Sequence, residues 1–288
     1  MQIPTIKLNN GVTMPQLGLG VYQITDLNQC EQTVLTAINA GYRLIDTAAA
    51  YHNETAVGQA IKQTSVAREQ LFITSKLWVA DANYERAKRA INESLENLQL
   101  DYLDLYLMHQ AYGDVAGAWR AMSEAYQEGK IRALGVSNFF PDQLKNLELM
   151  SNIQPVIDQI EVNPWYQRAS DVQAIQRENV AVEAWAPFAE GQHEIFTNET
   201  LVQIGQKYHK SVGQVILRWL IQRGIVVLAK SVHQSRIEEN SAVFDFELSD
   251  DDMQTIATLD KGESQFFDHR DPVTIEQIFG SSLAQLKE

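Results

Sequence analysis

The chain has 288 residues, 45% hydrophobic and 21% charged, and a formal net charge of −14. This composition is ordinary for a globular protein with a large core. The negative excess argues against nucleic-acid or anionic-membrane partners but leaves room for an anionic ligand at a local basic site. The opening MQIPTIKLNNGVTMPQ lacks the basic and apolar blocks of a secretion signal, and no apolar run is long enough to span a bilayer. The single cysteine, Cys30, can form no internal disulfide, which fits a reducing compartment. The expected location is the cytoplasm.

In chain order, residues 3–14 read as a β-hairpin turning on Asn10-Gly11 as a two-residue loop. LGLGVY at 17–22 reads as a strand, followed by a helix over 28–40 with Val34, Leu35, Ala37 and Ile38 as its apolar stripe. RLIDTA precedes a helix capped by Asn53, with Glu54 in the first turn. LFITSKLW precedes a helix over 83–98, where Ala87, Ile91, Leu95 and Leu98 recur at helical spacing. YLDLYLMH precedes a helix over 115–128, and IRALGVSN precedes a helix opened by Pro141. PVIDQIEV, VAVEAWAP and IVVLAKSV supply three more strands, each followed by helical sequence, the last near Ser235. Ser249 caps an extra helix over 249–259, and the tail with Phe266, Phe267 and His269 is expected to fold over one mouth of the molecule.

Eight alternating strand–helix units predict a parallel sheet, either open and doubly wound or closed. The open form usually carries G-x-G-x-x-G after its first strand; here Gly18 and Gly20 are present but Gln23 replaces the third glycine. The expectation is therefore an α/β fold in one domain over residues 1–288: a (β/α)8 TIM barrel with an N-terminal hairpin and an extra C-terminal helix and loop.

In such barrels, function gathers at the C-terminal ends of the strands. The ends carry Asp46 with Tyr51 beyond it, Lys76 followed by Trp78, His109, Ser137-Asn138, Gln159, Trp185 and Lys230-Ser231. A phenol has a pKa of about 10 and is a sluggish acid near neutrality; an ammonium beside it stabilises the phenolate and is expected to lower that value. A carboxylate would hold the ammonium in place, and an imidazole would orient a substrate oxygen. The set suits proton delivery to a carbonyl, and the companion hydride requires a nicotinamide cofactor. Taken singly, Asp46 reads as a loop carboxylate, Tyr51 and Trp78 as packing, Lys76 as a solvated strand end and His109 as a structural histidine. Three consecutive strand–helix junctions supplying all four favour function.

The segments DTAAAYHNE, ITSKLW, DLYLMHQ, GVSNF, QIEVNPWYQ and KSVHQSRIEEN, in this order, resemble the signature of the aldo-keto reductase family, most of all its bacterial diketogluconate and glyoxal reductase branch. The resemblance runs from the hairpin to FFDHRDP. It implies Tyr51 as general acid, tuned by Lys76 and Asp46, with His109 positioning the carbonyl. It implies an NADPH/NADP+ cofactor whose carboxamide meets Ser137, Asn138 and Gln159 and whose ring stacks on Trp185. Lys230, Ser231 and Arg236 would then meet the 2′-phosphate, and Glu239 and Asn240 the adenine. A guanidinium and an ammonium at a helix start form an anion site, which selectivity for NADPH needs. Tyr22, Trp78 and Phe266 would wall a pocket for small or flat carbonyl substrates, and a monomer is expected by resemblance alone. Ala111 and Ala229 stand where prolines are common, and residues 185–191 match the seventh loop only loosely, changes that touch loop shape and cofactor grip.

Two other readings remain open on the residues themselves. One is a Schiff-base aldolase using Lys76 or Lys230, against which an adjacent Asp46 works by raising the lysine pKa. The other is a non-catalytic, cofactor-binding sensor on the same fold.

Overall fold

The structure is a computed structural model and describes residues 3–287. A two-stranded antiparallel hairpin, β1 (Thr5–Lys7) and β2 (Thr13–Pro15), precedes eight parallel strands that close on themselves. These are β3 (Leu17–Gly20), β4 (Leu44–Asp46), β5 (Phe72–Leu77), β6 (Leu105–Met108), β7 (Leu134–Ser137), β8 (Ile157–Glu161), β9 (Ala181–Trp185) and β10 (Val226–Ala229), with β10 paired back to β3. The helices are α1 (Leu27–Asn39), α2 (Glu54–Gln63), α3 (Tyr84–Leu98), α4 (Val115–Gln127), α5 (Pro141–Met150) and α6 (Ala169–Arg177). After them come α7 (Glu199–Tyr208), α8 (Val212–Gln222), α9 (Gln234–Ser241), α10 (Asp250–Ala257) and α11 (Pro272–Ala284). The expected barrel, hairpin and extra C-terminal helix are all present. None of the described helices is long and apolar enough to cross a membrane.

α3 shows how local sequence sets these elements. Asn83 Oδ1 accepts from the Arg86 amide at its start, and Gln99 ends it in the left-handed region. Its stripe of Ala87, Ile91, Leu95 and Leu98 is buried; each large side chain there contributes about 1.5–3 kcal/mol.

Strand periodicity of two then decides what lies inside the barrel. Ile45, Ile73, Tyr106, Val136, Ile160, Val182 and Val227 face the helical shell. Leu44, Phe72, Leu105, Leu107, Ile157, Val226 and Leu228 fill the interior above Leu8 and Met14 of the hairpin, which plugs the N-terminal end. Gly18 keeps this interior open to its neighbours, because a Cβ there would lie 2.4 Å from Leu44 Cγ.

Three local expectations are corrected. The hairpin closes from Leu8 to Val12, not across Asn10-Gly11: the Leu8 amide donates to Val12 O at 2.8 Å, and Gly11 takes φ +89°. It is a three-residue loop with a left-handed glycine, because its asparagines are used elsewhere. Asn9 Nδ2 donates to Pro155 O and Asn179 O, and Asn10 Nδ2 to Arg132 O. Asn53 stands at the N-cap of α2 but makes no cap bond. It is buried, donating to Val21 O and Ile24 O and accepting from Thr47 Oγ1, so it ties two loops together. The tail forms a full helix, α11, where only a loop was expected; Asp271 caps it and Phe279 buries it.

Asp158, on the outward face of β8, is buried with both carboxylate oxygens lacking a hydrogen-bonding partner among the described residues. Burial pushes its carboxyl up to about 7, which the Arg168 charge only partly offsets. The folded value lies above the unfolded one, so the folded state binds the extra proton. This group's contribution therefore falls as pH rises from about 4 to about 7, by at most about 4 kcal/mol. Asp158→Asn is expected to gain in urea midpoint relative to wild type as the pH moves from about 5 to about 8. A gap that stays constant with pH would show that Asp158 is not protonated in the fold.

Candidate active site

The same period of two that puts Leu44 inside puts Asp46 inside one step higher, and Lys76 follows Phe72 and Thr74 in the same way on β5. Registering Asp46 against Thr74 brings the two charges together across adjacent strands. Lys76 Nζ lies 2.5 Å from Asp46 Oδ1, 3.0 Å from Thr47 O and 3.2 Å from the Tyr51 hydroxyl. Its three protons thus meet three oxygens. Tyr51 reaches this point from a single 3-10 turn, Ala49–Tyr51, closed by His52 at φ 55°. His109, at the end of β6, packs edge-on to Tyr51 at 5.7 Å and to Trp78 at 5.2 Å. The four residues expected to act together do meet.

The electrostatics differ from the simple expectation at one point. Burial pushes the Tyr51 hydroxyl up to about 12; the Lys76 charge opposes this without overcoming it, and Asp46 adds to the rise. The phenol is therefore held protonated. Burial pulls Lys76 down, but Asp46 and Tyr51 outweigh it and keep the ammonium charged above its ordinary range. Burial, with the nearby Lys76 charge, holds His109 well below the usual histidine value, so the ring is neutral. His109 lines the cleft, and its buried Nδ1 has no partner among the described residues.

These groups line a cleft of about 1020 Å³ over the C-terminal ends of the strands. Tyr22, Trp78 and Phe266 wall it, as expected, joined by Phe267, His269, Ile278 and Phe279 of the tail. Tyr22 packs tilted against Tyr51 at 4.9 Å, and Trp78 Nε1 donates to Ser282 Oγ of α11. Ser137 Oγ donates to Gln159 O, Asn138 Nδ2 to His109 O and Ser137 Oγ, and Trp185 Nε1 to Asn138 Oδ1 at 2.9 Å. This chain holds the Nε1 edge of Trp185, and Phe266 packs tilted against its ring at 5.4 Å. Asn138 takes φ 62° to make the chain.

At the far end of the cleft Lys230, Ser231 and Arg236 gather beside α9. Lys230 Nζ donates to neutral Gln23 Oε1 at 3.3 Å, and neither cation is engaged by a carboxylate among the described residues. Glu239 and Asn240 are not in the lining: Glu239 accepts from Ser211 Oγ, and Asn240 is buried near Gly213.

Sequence reasoning passed over Gln23, Glu190, Gln110 and Glu183. Gln23 Nε2 donates to Glu190 Oε2 at 3.2 Å, bridging two loops across the cleft. Glu183, buried in β9, accepts from Gln159 Nε2. An acid in the middle of the apolar run VAVEAWAP was the available signal.

Residues 16–261 match the family model described as "Aldo/keto reductase family". The chain is 48% identical over 260 residues to the glyoxal reductase of Bacillus subtilis, covering 90% of this chain and 94% of that protein. It is 43% identical over 267 residues to the methylglyoxal reductase DkgA of Escherichia coli, covering 91% and 96%. The crystal structure of a Bombyx mori aldo-keto reductase in complex with NADP superposes with a TM-score of 0.88 at 37% identity, over 96% of this chain and 97% of that one. With its tetrad, its barrel and these relatives in agreement, the chain belongs to the aldo/keto reductase family.

Proposed function

We propose that the protein is an NADPH-dependent reductase of small carbonyl compounds, with Tyr51 as the proton donor. The observation that carries this reading is the Tyr51 hydroxyl, 3.2 Å from the buried Lys76 ammonium at the floor of an aromatic cleft. The donor set fits a nicotinamide dinucleotide phosphate. Gln159 has spent both amide protons on the carboxyl groups of Asp46 and Glu183 and keeps its carbonyl for a carboxamide N–H. Trp185 offers a fixed ring face, and Lys230 with Arg236 supplies positive charge that no carboxylate among the described residues takes up. Relatives bearing the names glyoxal and methylglyoxal reductase, and one solved with NADP, support the same reading.

When bound, the reduced cofactor supplies the hydride to the carbonyl carbon. His109, neutral, donates to the substrate oxygen and sets its direction. As negative charge develops on that oxygen, Tyr51 gives up its proton to it, and the π bond is replaced by C–H and O–H bonds. Lys76 stabilises the phenolate left behind, and Asp46 keeps Lys76 charged and in place. The open cleft lets solvent return the proton. Lys76 has no access to a substrate carbonyl, being fully buried and bonded on all three protons. The Schiff-base reading is thereby disfavoured at that lysine. The aromatic walls favour small or flat substrates: dicarbonyls, keto sugars and aromatic aldehydes.

Following absorbance loss of NADPH with methylglyoxal, Tyr51→Phe is expected to lower turnover by about 10²–10⁴-fold. NADPH binding, read by fluorescence quenching, should survive. Full activity in this variant would remove Tyr51 from its role, and absent turnover in wild type with intact NADPH binding would favour the sensor reading.

Because Tyr51 is held protonated up to about 12, the pH profile has a definite sign. Reduction should stay level from about pH 6 to about pH 9, while alcohol oxidation, which needs the phenolate, should rise about tenfold per pH unit. A reduction rate that fell through pH 7 would place the acid on another group.

The double variant Lys230→Met with Arg236→Met should lose about 10–100-fold in affinity for NADPH and little for NADH. Equal losses for both cofactors would overturn the phosphate assignment.

A further inference from the structure

β9 reads AVEAW, with an acid in the barrel interior. Registry makes Glu183 the Cα partner of Gln159 on β8 and of Val226 on β10. Gln159 Nε2 donates 2.8 Å to Glu183 Oε2 and 2.9 Å to Asp46 Oδ2. A primary amide presents two donors at one end and an acceptor at the other. With both protons directed to carboxyl groups on opposite sides, the amide plane is fixed and only Oε1 remains for the cleft. With Asp46 alone, one proton would be held and the amide would be free to turn.

The charge balance carries the same residue further. The titratable groups that face Glu183 are Asp46 from β4 and Lys76 from β5, while β8 and β10 place neutral Gln159 and Val226 beside it. Two carboxyls thus share one ammonium in a water-poor interior. Glu183 Oε1 finds no partner among the described residues. Burial, reinforced by Asp46, pushes the Glu183 carboxyl up to about 8. Burial raises the Asp46 carboxyl as well, so at neutral pH the two carboxyls hold one proton between them and the interior set sums to zero.

We propose that Glu183 is a positioning residue of the cofactor site: it aims the Gln159 carbonyl at the nicotinamide carboxamide and, once ionised, sets a second negative charge beneath the ring. This rests on the reading of Gln159 as a nicotinamide contact. An oxidised nicotinamide is cationic and a reduced one is neutral, so ionising Glu183 favours NADP+ over NADPH. No purely structural role for Glu183 has that consequence.

The test is the dissociation constant of NADPH and of NADP+, by fluorescence quenching or calorimetry, from about pH 6 to about pH 9.5. It compares wild type, Glu183→Gln, Glu183→Leu and Gln159→Leu. In wild type the ratio of the two constants should move about three- to tenfold toward NADP+ through a transition near pH 8. Glu183→Leu removes the acceptor and should weaken both cofactors about tenfold. Glu183→Gln keeps an acceptor, should restore affinity to within about threefold, and should abolish the transition. A flat ratio in wild type, or a transition that persists in Glu183→Gln, overturns the proposal. Should Glu183→Leu fail to fold by circular dichroism, the Glu183→Gln profile decides alone. If Gln159→Leu weakens NADPH while both Glu183 variants behave as wild type, this inference falls and the cofactor reading stands. If Gln159→Leu leaves NADPH affinity unchanged, the contact itself is wrong and the inference falls with it.

Discussion

One buried ammonium organises this molecule. Removing a charged amine from water costs several kcal/mol even after relaxation, so Lys76 stays charged in the barrel only because every proton has an oxygen waiting. Those oxygens come from β4, from the residue just after it and from the 3-10 turn beyond, and the register of β4 against β5 brings them within reach. Much else follows from the same point. Tyr51 is located by its bond to Lys76, His109 is kept neutral partly by the same charge, and Asp46 uses its second oxygen to hold Gln159. Loss of Asp46 would leave Lys76 an uncompensated buried charge, so that ion pair is the part the set cannot spare.

Much of this arrangement is legible in the sequence because it depends on short-range periods. Alternation within a strand assigns Asp46 and Lys76 to the same face as Leu44 and Phe72, and strand ends are marked by the switch to helical spacing. What escapes the sequence depends on distant neighbours. Asn53 has the composition and position of a cap, yet Val21 and Ile24 claim its amide from another loop. Asn10-Gly11 carries a two-residue turn signal, yet the asparagines are needed at Arg132, Pro155 and Asn179. The Tyr51 hydroxyl was expected to fall beside a lysine and instead rises, because the depth of burial is a property of the whole barrel. Glu183 was visible as an acid in an apolar run, but its partner was not, since only strand registry sets it against Gln159.

The tail illustrates the opposite balance. Beyond residue 261, where the family match ends, the chain is held to the barrel through polar contacts and through Phe279, which packs on Trp78 and Tyr112. Glu161, at the top of β8, accepts from Ser264 Oγ at 2.6 Å and from the Gln265 amide at 3.0 Å. Tyr112 donates to His269 O, and Trp78 to Ser282 Oγ. These anchors set Phe266, Phe267 and Phe279 around the mouth of the cleft, with Phe279 packed among Trp78, Tyr112 and Phe267. The tail thus supplies one side of the cleft, and Tyr22 and Trp78 from the barrel loops supply another.

The two ends of the cleft therefore obey different physics. At the floor, charges are buried, paired and nearly unscreened, so their geometry is insensitive to salt. At the rim, Lys230 and Arg236 are exposed, and Lys230 rests on a neutral amide at the edge of bonding distance, so their pull on any anion weakens as ionic strength rises. The loop beside them holds Ala186, Ala189, Glu190, His193 and Glu194 at positive φ, a conformation that costs each residue about 1 kcal/mol or more. Against that strain, Glu190 contributes one exposed hydrogen bond to Gln23. Ala189 and Ile195 are buried in the core and seat this loop, while residues 190–194 between them are exposed. The pull of the rim cations can consequently vary with salt without disturbing the buried Lys76 set.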